Sequence, residues 1–162
     1  MSISAKSRES TGKWKYDIVD LGYNYRLDEM RAALGFSQMQ RIETINNLRI
    51  KIAKKYDKAI SKIKGIITPI VKENRNHIYH LYSIRITHDY HLSRDELISK
   101  LHKSDIGYSV QYTPLHKMSY NKKIIKNTKF PNANLIENQV LCLPIFPKMT
   151  DKQIHKVISV LQ

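Results

Sequence analysis

Apolar residues recur at intervals of three and four along the chain after Asp28. The positions are Met30, Ala33, Leu34, Met39, Ile42, Ile45, Leu48, Ile52, Tyr56, Ile60 and Ile63. This spacing predicts amphipathic helix, because residues three or four apart share one helical face. Asp28 suits the N-cap and Gly65 can end a helix. The pattern fits either one long helix or two helices with a bend between residues 35 and 41.

Shorter patterns predict strands and further helices in the rest of the chain. β-branched and aromatic residues dominate 78–87 and 106–113, which predicts two strands, and 140–147 predicts a short apolar strand broken by two prolines. Capping boxes at 93–96 (SRDE) and 150–153 (TDKQ) mark the starts of two helices. A helix from Pro131 to about Gln139 and a loop after Pro114, with room for a short helix, complete the series.

This order of elements predicts an α/β (α+β) fold, with a long N-terminal helix followed by a small sheet and helices packed on it. We expect three parts: a polar, mobile lead at 1–13, a segment at 14–66 that ends in the long helix, and a small α/β domain at 67–162. The long helix has more apolar length than so small a sheet can cover. We therefore expect it to pack also on something outside this compact domain.

Composition narrows the class of protein. The 162 residues are 41% hydrophobic, which is enough for a core, and no apolar run approaches a membrane span or a secretion signal. The single cysteine, Cys142, fits a reducing compartment, so we expect a cytoplasmic protein. The net charge of +14 suits anionic partners, although we favour a lysine-rich solvated surface as its explanation.

Common enzyme motifs are missing from the sequence. It has neither a glycine-rich phosphate loop nor a nucleophile elbow. His77 with His80, and His88 with His91, have the H-x-x-H spacing, but each pair lacks further ligands, so we predict surface histidines and no metal site. Cys142 lies between leucines, which favours a buried and inert thiol.

Two segments carry candidate chemistry. In GYNYR, Asn24 and Arg26 precede a helix start, where phosphate groups bind favourably. The alternative is that Asn24 forms a turn and Arg26 pairs with Asp28 or Glu29. The segment 110–116 (VQYTPLH) follows a predicted strand, which is a frequent ligand position. Its alternative is a proline-kinked connection with His116 on the surface.

Five segments in order resemble the DegT/DnrJ/EryC1/StrS family of sugar aminotransferases. They are LGYNYRLDEMRAALGFSQMQRI, HIYHLYSIRI, IGYSVQYTPLH, FPNA and LCLPIFPKMTDKQI. The resemblance runs from about Trp14 to the C-terminus. It implies the C-terminal small domain of a fold type I pyridoxal 5'-phosphate enzyme, with 14–66 holding a cofactor loop and an interdomain helix.

The resemblance also implies partners and site residues. It implies a homodimer with active sites at the interface, a nucleotide-linked keto sugar as substrate and glutamate as the usual amino donor, in the synthesis of polysaccharides or glycoconjugates. Asn24 matches an asparagine that reaches the cofactor phosphate of the partner subunit, and Tyr23, Tyr25 and Arg26 flank it. The matches for substrate binding are Tyr112, His116 and Gln111, the last of which stands where the family often has histidine.

The family's Schiff-base lysine, the acid that pairs with the pyridine nitrogen and the aromatic residue that stacks on the ring are expected outside this chain. We therefore expect no catalytic residue here, and a chain that is inactive unless a complementary N-terminal half joins it. Two rival hypotheses remain open. One is a non-catalytic dimerisation or binding module; the other, less favoured, is a nucleic-acid binder that uses lysines and the aromatics Trp14, Tyr16, Tyr23 and Tyr25.

Overall fold

The computed structural model describes residues 22–23, 25–125 and 128–162, which fall into two units. One unit contains the described residues up to Gln40, and the other is Arg41–Gln162. The predicted mobile lead at 1–13 lies outside the described residues. The domain limit that the sequence suggests near residue 66 stays a prediction.

The described residues of the first unit include helix α1, Glu29–Met39. Asp28 is its N-cap, as predicted, and its carboxylate oxygen Oδ1 accepts the Arg31 backbone N–H at 2.9 Å. No residue of α1 is buried, and Met30 and Phe36 are 84% and 68% exposed. A helix of this length is marginal by itself in water, because most helical stability in proteins comes from a packed apolar face.

The second unit begins with helix α2, Ile42–Ile60. The two-helix alternative is therefore correct, and the break falls at Gln40 and Arg41, where Arg41 leaves helical geometry with φ −123° and ψ 14°. The helix ends at Ile60, before the expected stop at Gly65. Four residues on one side of α2 are buried: Ile52, Ala53, Tyr56 and Ile60.

Three short antiparallel strands form the sheet in the order β1–β2–β3. They are β1 Ile66–Ile67, β2 Tyr82–Ile86 and β3 Val140–Leu143. Tyr82 of the central strand lies opposite Leu143, and Ile86 lies opposite Ile66. Buried and half-buried residues alternate along β2. The strands predicted at 78–87 and 140–147 are confirmed in shorter form, and β1 is an addition that the sequence did not predict.

The strand predicted at 106–113 is wrong. Only Ser109 pairs in this stretch, through an isolated bridge to Cys142 with N–O distances of 2.8 and 3.2 Å. Two residues further along this register, Gly107 would face Pro144. Because proline has no backbone N–H, the ladder cannot extend in that direction.

The remaining helices follow the local signals in the sequence. They are α3 Arg94–Lys103, a 3₁₀ turn at Leu115–Lys117, α4 Ser119–Ile124, α5 Pro131–Glu137 and α6 Asp151–Leu161. Both predicted capping boxes are present, at the starts of α3 and α6, and Pro131 opens α5 as expected. The loop after Pro114 does contain a short helix, while α5 ends before the expected Gln139.

One hydrophobic core joins the sheet to α2, α3 and α6. Its largest fully buried side chains are Tyr56, Tyr82, Ile60, Ile84, Leu97, Leu101, Leu141, Ile154 and Leu161. The hydroxyl groups of two core tyrosines are satisfied: Tyr82 donates to Asp57 Oδ1 at 2.5 Å, and Tyr56 donates to the Pro144 carbonyl at 2.9 Å. Burial, reinforced by the hydrogen bond to Asp57, raises the pKa of Tyr82 well above its ordinary value.

Arg49 joins α2 to the segment before β2 and to the segment after β3, which lie at the same end of the sheet. Its Nη1 lies 3.2, 3.0 and 3.3 Å from the carbonyl oxygens of Tyr79, His80 and Ile145. Tyr79 and His80 precede β2, and Ile145 follows β3. One guanidinium group therefore satisfies carbonyls from two separate chain segments, which fixes their spacing at this edge.

Gly65 allows a close approach between two segments. Its φ is +83°, and a Cβ at this position would lie 2.0 Å from the backbone nitrogen of Tyr90. The Tyr90 hydroxyl in turn donates to the Leu161 carbonyl at 2.8 Å. Both the backbone conformation and the available space therefore require glycine here.

Replacing Tyr82 with phenylalanine should destabilise the fold by about 1–3 kcal/mol at neutral pH, because the half-buried Asp57 carboxylate loses a hydrogen-bond donor. The pKa of Tyr82 is higher in the folded chain than in the unfolded chain, where it is about 10. The Tyr82 hydroxyl therefore contributes its full stabilisation below about pH 10, and this contribution to the free energy of unfolding decreases as the pH rises further. The difference between native chain and variant should therefore narrow above about pH 10.

Urea denaturation from pH 7 to pH 11 measures this difference. Tyr120→Phe is the matched control, because the Tyr120 side chain is 73% exposed and its substitution should change stability little at any pH. A difference between Tyr82→Phe and the native chain that stays constant across the range would contradict the assigned role of the Tyr82 hydroxyl.

Candidate functional site

The predicted cofactor residues lie just before α1. The rings of Tyr23 and Tyr25 stack with centroids 5.3 Å apart and an interplanar angle of 21°. They are 85% and 87% exposed, so the described structure leaves both rings open to solvent. Asn24 lies outside the described residues, so its role stays a prediction. Arg26 is exposed and takes part in an interaction of its own.

The carboxylate of Asp28 already offsets the partial positive charge at the N-terminus of α1. Asp28 Oδ1 accepts the Arg31 backbone N–H, and Asp28 Oδ2 lies 3.2 Å from Arg31 Nε. A negative charge at this helix end offsets the partial positive charge of the dipole. A phosphate bound at this segment would therefore depend on the amide and guanidinium groups of the loop more than on the helix end.

The predicted substrate residues lie between the Ser109 bridge and α4. Gln111 Nε2 lies 3.4 Å from Ser109 Oγ, which makes a long contact, and Tyr112 is 72% exposed. His116 Nε2 lies 2.9 Å from Asn134 Oδ1. The structure thus holds the imidazole in place and leaves the Tyr112 ring available to a ligand.

Residues of α5 and the segment before it position His116. Phe130 stacks on the imidazole with ring centroids 4.6 Å apart and an angle of 26°. Lys117 forms an ion pair with Glu137, whose backbone carbonyl also accepts a hydrogen bond from Arg94 Nη1 at 2.7 Å. Sequence reasoning did not assign Phe130 and Asn134 a role. The FPNA segment, 130–133, was the one feature of the sequence that pointed to this region, because it contains Phe130 and directly precedes Asn134.

The remaining candidate groups are structural or exposed. Cys142 is buried, as predicted, and its Sγ lies 3.1 Å from Ser83 Oγ. Within the described ranges, no three residues of the types His, Cys, Asp and Glu are placed to hold a metal ion. The same ranges contain no buried charged residue, hence no buried lysine.

A scan against protein-family models matches residues 1–162 to the DegT/DnrJ/EryC1/StrS aminotransferase family. The chain belongs to this family. It is 34% identical over 164 residues to the spore coat polysaccharide biosynthesis protein SpsC of Bacillus subtilis, which covers 98% of the chain and 42% of SpsC. It is 32% identical over 139 residues to the UDP-4-amino-4,6-dideoxy-N-acetyl-beta-L-altrosamine transaminase of Campylobacter jejuni serotype O:2, covering 86% of the chain and 37% of that enzyme.

Solved structures of the family have the same fold. DesV of S. venezuelae, solved in complex with a ketimine intermediate, superposes with a TM-score of 0.79 at 28% identity, over 95% of this chain and 41% of DesV. The expected α/β small-domain fold is thus confirmed. The chain spans about two fifths of the length of these relatives. No helix in the described part of the chain has the length and hydropathy of a membrane span.

The cofactor of this family, pyridoxal phosphate, fits the described residues only in part. Tyr23, Tyr25 and Arg26 offer hydroxyl and guanidinium donors suited to its phosphate group. A covalent link to the cofactor requires a lysine in an enclosed site, and no described lysine is buried. The described residues before α1 therefore include donors of the kind that a phosphate group accepts, and no described lysine is buried.

Phe130→Leu should change the environment of the His116 ring, because it removes the aromatic ring that stacks on the imidazole. We expect the Hε1 resonance of His116 to move downfield in two-dimensional NMR spectra, with Asn134→Ala shifting the ring nitrogen signals. Asn132→Ala, an exposed change on the same helix, is the control. Unchanged His116 signals in both variants would show that α5 does not position this residue.

Proposed function

We propose that this chain supplies the C-terminal part of a pyridoxal-phosphate-dependent aminotransferase that acts on nucleotide-linked keto sugars. The observation that carries the proposal is the family match over the whole chain. Two relatives add to it: one is named for spore coat polysaccharide biosynthesis and the other for transamination of a UDP-linked amino sugar. The product would enter polysaccharide or glycoconjugate synthesis, with glutamate as the amino donor.

In this proposal the segment before α1 binds the cofactor phosphate across a subunit interface. Asn24 donates from its side-chain amide, while Arg26 adds a charged donor that phosphate favours. Tyr23 and Tyr25 flank this position with exposed rings, which can exclude water when another surface covers them. The bound cofactor supplies the electron sink that amino transfer needs, and these residues only orient it.

The segment 111–116 holds the nucleotide sugar in this proposal. His116 suits the role because Asn134 and Phe130 fix its imidazole before any ligand arrives, which lowers the entropic cost of binding. Tyr112 offers an exposed ring and hydroxyl. Gln111 can donate and accept hydrogen bonds without a charge, so it suits sugar hydroxyls better than a diphosphate.

The proposed partner is a region equivalent to the N-terminal part of the relatives, carried on the same longer protein or on a separate one. Helix α1 supports this, because its large apolar side chains are exposed in the described structure. These residues are Met30, Leu34, Phe36 and Met39. A partner that covers them would stabilise α1 and bring the Schiff-base lysine to the cofactor. By itself the chain should not turn over substrate.

Co-expression with the N-terminal region of a relative such as SpsC should restore cofactor binding. We expect the purified pair to keep the visible absorbance of pyridoxal phosphate after dialysis, and to convert a nucleotide-linked keto sugar with glutamate. A partner that lacks its active-site lysine is the control. Stable absorbance in the 162-residue chain alone, abolished by changing one of its own lysines, would refute the proposal.

Asn24→Ala in the reconstituted pair should weaken cofactor binding about tenfold or more, because a hydrogen bond to a charged phosphate is lost. The turnover rate at saturating cofactor should fall much less. Asn47→Ala, an exposed change on α2, is the matched control. Equal cofactor dissociation constants for the two variants would remove Asn24 from the phosphate site.

A further inference from the structure

Helix α5 contacts the predicted substrate segment, 111–116, and the residue after it. Phe130, the N-cap of α5, stacks on the His116 imidazole, and Asn134 Oδ1 lies 2.9 Å from His116 Nε2. Three residues further on, Glu137 forms an ion pair with Lys117, which ends the 3₁₀ turn. Residues three apart share a helical face, so one face of α5 holds two consecutive residues of that turn.

The position of α5 does not come from burial of its own residues. None of its seven residues is buried, and its apolar side chains Leu135 and Ile136 are exposed. A helix of two turns is also marginal by itself in water. The placement of α5 therefore depends more on specific contacts with neighbouring segments than on packing into the core.

Contacts of this kind lie at the C-terminal end of α5. Arg94 Nη1 donates to the Glu137 carbonyl at 2.7 Å, and Arg94 is the first residue of α3, which contributes two fully buried leucines to the core. Directly after α5, Arg85 of β2 donates to Gln139 Oε1 from Nε at 3.2 Å and from Nη2 at 2.7 Å. This end of α5 is therefore tied to a core helix and to the central strand.

Glu137 takes part in both sets of contacts. Its backbone carbonyl accepts the bond from Arg94, while its carboxylate pairs with Lys117. The side chains of Glu137 and Lys117 are 20% and 39% exposed, so solvent screens this pair less than an ion pair on the open surface. Because one residue joins α3 to the 3₁₀ turn, the position of the turn follows from the anchored end of α5.

We propose that Glu137 is a positioning residue: through Lys117 it fixes the 3₁₀ turn, and through the turn it fixes His116 against Asn134 and Phe130. Without the ion pair the turn gains freedom, and the imidazole spends less time on its two partners. The consequence for the substrate rests on the proposed function, since an imidazole fixed in advance lowers the entropic cost of binding. The link from Glu137 to His116 is testable in the chain alone.

NMR spectroscopy of the 162-residue chain tests this link. Glu137→Met removes the carboxylate and leaves the backbone carbonyl for Arg94, so α5 should stay in place. We expect weaker nuclear Overhauser contacts between the His116 and Phe130 rings and shifted His116 ring signals. Lys117→Met should have the same effect, whereas Lys117→Arg, which can keep the ion pair, should retain the native signals. The double variant should add little, because both changes remove one interaction.

Lys55→Met is the matched control, because it removes the ion pair between Lys55 of α2 and Asp151 of α6 by the same substitution. It should leave the His116 signals unchanged. Native His116 signals and ring contacts in both Glu137→Met and Lys117→Met would overturn the proposal, as would equal changes in Lys55→Met. A lower thermal midpoint with native His116 signals would also overturn it, because the ion pair would then only stabilise the fold.

Kinetics of the reconstituted pair measure the consequence for the substrate. Glu137→Met should raise the KM for the nucleotide-linked keto sugar about threefold to tenfold and change kcat by less than about twofold, because Glu137 acts through Lys117 on binding. An active pair with an unchanged KM would reject the positioning role and keep the proposed function. If the pair is inactive, the NMR result still decides whether Glu137 positions His116, so the two failures are distinguishable.

Discussion

The hydrogen bond between Tyr82 and Asp57 joins the central strand to the helix that covers it. β2 is the one strand of the described sheet with a strand on each side. The position of α2 over β2 therefore determines how the helix packs against the sheet. One residue before Asp57, Tyr56 bonds to the Pro144 carbonyl after β3. In the first half of the same helix, Arg49 donates to the carbonyl oxygens of Tyr79, His80 and Ile145. These polar contacts fix the rotation of α2 where apolar packing alone would allow adjustment.

Features determined by neighbouring residues could be predicted from the sequence. Ser93 and Glu96 form a capping box three residues apart, and Thr150 and Gln153 do the same, so each helix start is independent of the tertiary structure. The failure at 106–113 has the opposite cause. Its pattern suits a strand, but pairing depends on the partner, and position 107 lies opposite Pro144, which has no backbone N–H to donate. β1 was missed because two paired residues leave no periodicity to detect.

The candidate site divides in the same way. Tyr23 and Tyr25 are two residues apart and their rings stack, and the resemblance to the family identified Gln111, Tyr112 and His116 as candidates. The support of His116 by Asn134 could not be inferred, because the two residues are 18 positions apart and meet only through the packing of α5. The depression lined by His80, Ser109 and Ile145 is likewise tertiary, since it combines residues from before β2 with residues from after α3 and β3.

Gly65 links a surface turn to the far end of the chain. A side chain at position 65 would displace the backbone of Tyr90, and the Tyr90 hydroxyl holds the last turn of α6 through Leu161. A substitution at this position is therefore not local, because it would reshape the turn at 90 and disturb the bond from Tyr90 to Leu161. The two positions form one steric unit, so a change at 65 requires a matching change in the backbone at 90.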